Sequence, residues 1–207
     1  YEIASCLVGS EMCIRDRTLN RALRDRGWRE CAYELETKGR ITFREAGVPD
    51  EDLGTMNEAS YWVDNRKGRV LVDIEWNAKD GNLDRDLAAY RAWHEAGLID
   101  AAMIITKHRE DLLVKAIELW APHVNATYDE VYKATRKARK ARTSEDKRLA
   151  LPLDLTTTTV TSLTKAIDRI NRGEAGTCPV VAVGISGATW DGTSYQETEE
   201  ENQPSLI

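Results

Sequence analysis

The chain has 207 residues, 42% hydrophobic and 31% charged, with a net charge of −6 at neutral pH. That is enough for one sizeable domain with a buried core, and no run of 18 apolar residues occurs, so neither a transmembrane helix nor a membrane partner is expected. A negative sum does not advertise a nucleic-acid binder, so any such role rests on how the charges are distributed.

Residues 1–17, YEIASCLVGSEMCIRDR, differ in character from the rest of the chain. They lack the basic front and small-residue cleavage site of a signal peptide, whereas LVGSEMCIRDR resembles a translated sequencing-library adapter. The segment is set apart as non-native, and the native amino terminus is expected to be missing. Cys6 and Cys13 go with it. Cys31 and Cys178 are too few for a disulfide framework and lack metal-ligand spacing, which points to a reducing, cytoplasmic compartment.

Leu19, Ala22 and Leu23 predict a helix over 18–28, stopped at Gly27. Residues 39–59 read as loop-rich, with a short strand at 41–43. SYWVDNRKGRVLVDIEW, 60–76, reads as two strands around a turn at 65–68. Asp80 or Asn82 is placed to cap a helix over 83–96, which Gly97 ends. AAMIIT, 101–106, suits a buried strand, and 110–120 carries Leu112, Leu113, Ala116, Ile117 and Trp120 on one helical face before Pro122. A helix is expected over 128–142. A Thr-rich connector, 155–162, leads into a helix bearing Leu163, Ala166, Ile167 and Ile170, and 178–186 forms a last strand. Together these predict an α/β fold: a single domain, 18–190, with a central mixed β-sheet flanked by helices. The acidic tail, 191–207, is expected to be disordered.

The chemistry concentrates at 61–80. Residues two apart on a strand share a face, so Val70, Val72, Ile74 and Trp76 line one side, and Leu71, Asp73, Glu75 and Asn77 the other. A hairpin folding 60–64 back onto this strand brings Asp64 to the acidic side. Three converging carboxylates repel one another, and a divalent cation relieves that repulsion; Mg²⁺ prefers such oxygen ligands together with water and phosphate. The plain alternative is a wet strand face whose acids pair with Arg66, Lys79 or Arg85 as ordinary surface ion pairs.

Asp64, then Asp73-Ile74-Glu75, followed by Trp76-Asn77, Lys79-Asp80 and Arg85-Asp86-Leu87, resembles the active-site block of type II restriction endonucleases of the BglII and BstYI group. These are BamHI-like members of the PD-(D/E)XK nuclease superfamily, and the nine-residue step from Asp64 to Asp73 matches that group. The resemblance covers 60–106 and implies a restriction-endonuclease-like fold. It further implies Mg²⁺-assisted cleavage of double-stranded DNA at a short palindromic, GATC-containing site by a homodimer, with a cognate DNA methyltransferase as partner. On that pattern Asp64, Asp73 and Glu75 are catalytic, and Asp64, Asp73 and the Ile74 carbonyl hold the metal. Two departures stand out. Asp73 occupies a place where Glu is more usual, and Glu75 stands where many superfamily members carry Lys. A second register, Asp64 with Glu75 and Asn77, stays open. Glu58 is an outer candidate whose bland reading is a loop carboxylate.

DNA contacts fall to Asn77 and Lys79 beside the acids, and to Arg136, Lys137 and Lys140 in KATRKARKAR, which holds six basic residues in ten. The bland readings are a turn-forming Asn and a solvated helix end. Helices near 83–96 and 110–120 are candidates for the dimer interface. His94, His108 and His123 show no zinc spacing, VGISGA is no nucleophile elbow, and no phosphate-binding glycine loop is present. The competing readings are an inactive DNA-binding protein on the same fold and a repair or structure-selective nuclease.

Overall fold

The computed structural model describes residues 12–76, 79–151, 153–156 and 159–189. The predicted tail and most of the segment read as adapter lie outside the described residues. In chain order the elements are α1 (Met12–Asp25), β1 (Arg29–Ile41), β2 (Glu51–Lys67), β3 (Val70–Glu75), α2 (Asp80–Glu95), β4 (Ala101–Lys107), α3 (Arg109–His123), α4 (Tyr128–Arg136), α5 (Ser144–Leu149), α6 (Leu153–Thr156), α7 (Leu163–Asn171) and β5 (Val180–Ile185). The five strands form one sheet in the order β1-β2-β3-β4-β5. The first three run antiparallel, while β3, β4 and β5 are mutually parallel. This is the mixed sheet flanked by helices that the alternation of elements predicts.

The centre of the sheet is buried on both sides. On one face Leu71 and Ile104 pack with Leu83, Leu87, Tyr90 and Trp93 of α2 and Ala166 of α7. On the other, Val72, Ile74 and Ile105 pack against Leu19, Leu23 and Trp28. A separate cluster knits α3 to the short helices beyond it, through Ala116, Ile117, Val131, Leu149, Leu151 and Leu155. Among the described residues no helix is long and apolar enough to cross a membrane.

Several boundaries depart from expectation. The first helix starts at Met12, upstream of the expected 18, and unwinds at Gly27 (φ +86°), where the Trp28 N–H returns to the Leu23 carbonyl at 3.1 Å. The loop-rich reading of 39–59 is wrong over most of its length. β1 and β2 pair from Arg29↔Arg66 to Ile41↔Glu51, with three register shifts. Strand order in EDLGTMNEAS comes from its hydrogen-bonded partner, because the segment has little alternation of its own. Gly54, with φ +79° opposite Gly39, takes up one of those irregularities. The hairpin turn is Gly68-Arg69, closed by the Lys67↔Val70 pair, two residues beyond the expected centre.

The helix after the acids is capped by Lys79, not by Asp80 or Asn82, and Lys79 makes no side-chain capping bond. Its other end agrees with expectation. Gly97 (φ +70°) donates to the His94 carbonyl and Leu98 donates to that of Trp93, a Schellman closure. The helix predicted over 128–142 stops at Arg136. Continuing it would stack Lys133, Arg136, Lys137 and Lys140 at three- and four-residue spacings, where like charges repel. The chain instead extends at Lys137 and makes a 3-10 turn at Arg139–Ala141.

Candidate active site

The hairpin and the helix after it assemble the acids. The β2–β3 ladder runs through Asn65↔Val72 and then gives way to side chains. Asp73 Oδ1 accepts the backbone N–H of Asp64 at 2.9 Å, and Asp64 Oδ2 accepts the backbone N–H of Ile74 at 2.9 Å. The two carboxylates thus exchange bonds with each other's strand where the ladder opens. That is the juxtaposition expected from a hairpin folding 60–64 back onto β3. The alternating faces also hold: Leu71 joins the core under α2, and Val72 and Ile74 the core under α1. Neither face is wet, so the surface ion-pair reading of Asp73 fails.

Helix α2 supplies what the sequence reading passed over. Leu83, Asp86, Leu87 and Tyr90, at i, i+3, i+4 and i+7, are all buried on one face. The Tyr90 hydroxyl donates to Asp73 Oδ2. The Tyr61 hydroxyl, from β2, donates to Asp86 Oδ1, while Asp86 Oδ2 is buried with no hydrogen-bond partner among the described residues. Tyr61 itself lies between Trp93, with ring centroids 5.4 Å apart, and the Arg85 guanidinium at 5.2 Å. An acid inside an apolar i, i+4 stripe is the signal that marks Asp86 in the sequence; the tyrosine one turn later is found from it.

Burial dominates the electrostatics. It raises Asp73, 4% exposed, to a pKa of about 6 against the hydrogen bonds from Tyr90 and the Asp64 N–H, and the neighbouring Asp64 charge adds to the rise. Burial likewise raises Asp64, opposed by the Ile74 N–H and assisted by Glu30. Asp86, 1% exposed, is pushed to about 7 by burial alone. Tyr90 lies well above the ordinary tyrosine range, first through burial and then through the charges of Asp73, Asp86 and Glu75. Asp73, Asp86 and Glu75 thus all act on Tyr90, and Asp64, Asp73 and Asp86 each have a raised pKa, a combination typical of functional sites.

The remaining predicted residues divide. Glu75 is half-buried at the end of β3, its charge reaching Tyr90 and its carbonyl accepting the Thr106 hydroxyl at 2.6 Å. Among the described residues, however, no group of three acid, His or Cys side chains surrounds one ion position, so Glu75 is not gathered with Asp64 and Asp73. Asn77 lies outside the described residues, which leaves the second register without a geometric description. Lys79 is exposed and forms an isolated bridge with Val160. Glu58 sits in β2 opposite Leu35, not in a loop, and its side chain is outside what the structure describes. Arg136 is exposed at the end of α4, Lys137 pairs with Asp146 at 2.7 Å, and Lys140 lines a basic cavity. The ion pair makes Lys137 a poorer phosphate ligand than its place in a basic run suggests.

The family model for restriction endonuclease BglII/BglIII matches residues 9–185, most of the chain and all of the elements just described. The chain belongs to the BglII/BglIII restriction endonuclease family. No curated protein matches it. Members of the BglII/BglIII family are site-specific deoxyribonucleases, so the chain is an enzyme of that class and its substrate is double-stranded DNA. Its sheet and helices are those of a restriction-endonuclease-like α/β domain. Enzymes of this kind generally use a divalent metal. The donors suit one: Asp64 and Asp73 present hard carboxylate oxygens on adjacent strands, both destabilised as anions by burial, which a cation at that point would reverse.

Proposed function

We propose that the chain is a Mg²⁺-dependent type II restriction endonuclease that hydrolyses both strands of a short palindromic, GATC-containing site. The observation that carries this reading is the reciprocal bonding of Asp64 and Asp73 where the β2–β3 ladder opens, within a chain of the BglII/BglIII family.

In this reading Asp64, Asp73 and the Ile74 carbonyl hold the cation. Bound there, it supplies Lewis acidity to the scissile phosphate and a water of lowered pKa. Tyr90 fixes the rotamer of Asp73 through Oδ2, and that carboxylate would need no reorganisation to take a cation. Glu75, at the open end of β3, orients the attacking water and takes its proton. The water oxygen forms the new P–O bond as the bond to the 3′ oxygen breaks, and that oxygen takes a proton from solvent, leaving a 3′-hydroxyl and a 5′-phosphate. Lys79, Lys140 and Arg136 contact backbone phosphates, and Asn77 an adenine edge. Residues 18–190 constitute the nuclease domain, cytoplasmic in location. A two-fold homodimer presents one such site to each strand of the palindrome, and a cognate methyltransferase protects the host's own copies.

Incubating supercoiled plasmid with the protein and Mg²⁺ tests the reading. Discrete fragments that the same digest lacks under EDTA are expected. Nicks or a smear would instead indicate a structure-selective or repair nuclease, and intact plasmid would remove the proposal.

A further inference from the structure

Far along α3 from its start at the end of β4, the chain builds a second charged feature of opposite sign. A cavity of about 820 Å³ is lined by Trp120 of α3, Arg139 and Lys140 of the 3-10 turn, Arg142, and Lys147 of α5. No acidic residue is among the described residues lining it, in a chain of net charge −6. The nearby acids are committed elsewhere: Asp146 binds Lys137 at 2.7 Å, and Glu145 binds Arg148 at 2.6 Å. Arg139, Lys140 and Lys147 therefore face the cavity with no carboxylate partner among the described residues.

The walls are held in place. Arg142 donates through Nη2 to the Thr135 carbonyl at 2.7 Å and through Nε to that of Lys137 at 3.2 Å, which fixes the plane of its guanidinium and leaves further donors. The Trp120 indole N–H donates to the Leu149 carbonyl at 3.0 Å, which sets the ring, half-buried, as one wall. A capping box closes the start of α5, with Thr143 and Asp146 exchanging bonds. Gathering four like charges in a concave site is unfavourable without an anion, and the cavity falls within the size range of small-ligand pockets. Cations beside an aromatic face are the two elements that bind a nucleotide: phosphate by charge, base by stacking.

We propose that this cavity binds a nucleotide unit, with its phosphate on Arg139, Lys140, Arg142 and Lys147 and its base against Trp120. The unit comes either from the substrate strand, outside the cleavage point, or from a free nucleotide. Its strand form rests on the backbone contact proposed above for Lys140 and deepens it, and neither form depends on which acids perform the cutting.

The test uses the full-length protein without divalent cation. Binding of a labelled DNA duplex is measured by anisotropy across a salt series, and binding of deoxyadenosine monophosphate by quenching of tryptophan fluorescence. Both are compared with an Arg139→Ala/Lys140→Ala/Lys147→Ala variant, whose three altered side chains are exposed, and with Trp120→Phe. If the strand supplies the ligand, the log–log salt slope becomes shallower by about 1 in the triple variant, because its three cations are withdrawn from one phosphate. If a free nucleotide does, the slope holds, but saturable quenching disappears in the triple variant and loses its Trp120 component in Trp120→Phe. An unchanged slope together with unchanged quenching, or no quenching at all, overturns the proposal. Cutting by Asp64→Ala is read in a separate assay, so failure of the catalytic assignment and failure of this one are distinguishable.

Discussion

Asp73 has 4% of its surface exposed, and burial outweighs two hydrogen bonds that favour its anion, leaving a pKa of about 6. Its ionised form is the one that serves a cation, so the sign is fixed: protonation as pH falls through about 6 removes the ligand and, with it, cleavage. Protons and metal compete for the same oxygens, so raising Mg²⁺ should move the acid limb of the rate profile to lower pH. Rate profiles at two Mg²⁺ concentrations check this, and superimposable acid limbs would remove Asp73 from the metal.

Asp86 makes a prediction of the opposite kind, about stability. Its folded pKa of about 7 is raised from 3.8, so the folded state holds a proton that the unfolded chain has already released. The stabilisation from the neutral acid is complete below about pH 4 and is lost as pH rises through 7. Asp86→Asn keeps an acceptor for Tyr61 and cannot ionise. Its melting temperature should exceed that of the wild type at pH 8, on the order of a few kcal/mol of stability, and converge with it near pH 4. A gap of the same size at both pH values would mean that Asp86 does not carry this penalty.

At the scale of elements, α2 acts as a buttress for the acid pair, anchored by Leu83 and Leu87 and contacting Asp73 through Tyr90. Leu87→Ala should cost about 2–5 kcal/mol in denaturant unfolding, because a fully buried side chain leaves a cavity. Tyr90→Phe keeps the ring and removes the bond to Asp73. It should lower kcat by about 10- to 100-fold while leaving KM for DNA within a few fold, a split that a general packing defect would not produce.

The same helix shows where sequence reasoning reached and where it stopped. The acid pair was legible because a short hairpin brings Asp64 beside Asp73 locally, even though its turn lies two residues beyond the expected centre. The central strands were legible because β3 and β4 are short, rich in apolar residues and largely buried. Tyr90 and Asp86 were missed because their roles arise across the sheet–helix interface, although the apolar stripe around Asp86 carried a trace of it. The long β1–β2 pairing was missed because it is set by a distant partner strand. Charge repulsion within KATRKARKAR bears on where α4 ends, but the ion pair between Lys137 and Asp146 was invisible from the run alone.

At the scale of the molecule, the described residues include two charge centres of opposite sign, the acids at the end of β3 and, on the helices beyond β4, the basic cavity beside Trp120. If the target is the palindrome proposed above, it needs two copies of the first, so sedimentation should give twice the chain mass at working concentration, and dilution that dissociates this dimer should turn double-strand cuts into nicks. The measurement bearing most directly on the central claim compares wild type with Asp64→Asn on one duplex, scoring cutting and binding side by side. The account predicts cutting reduced by a factor on the order of 10³ or more with affinity held within a few fold, since the amide keeps the shape of the side chain and loses only its charge. Wild-type cutting by Asp64→Asn would contradict it.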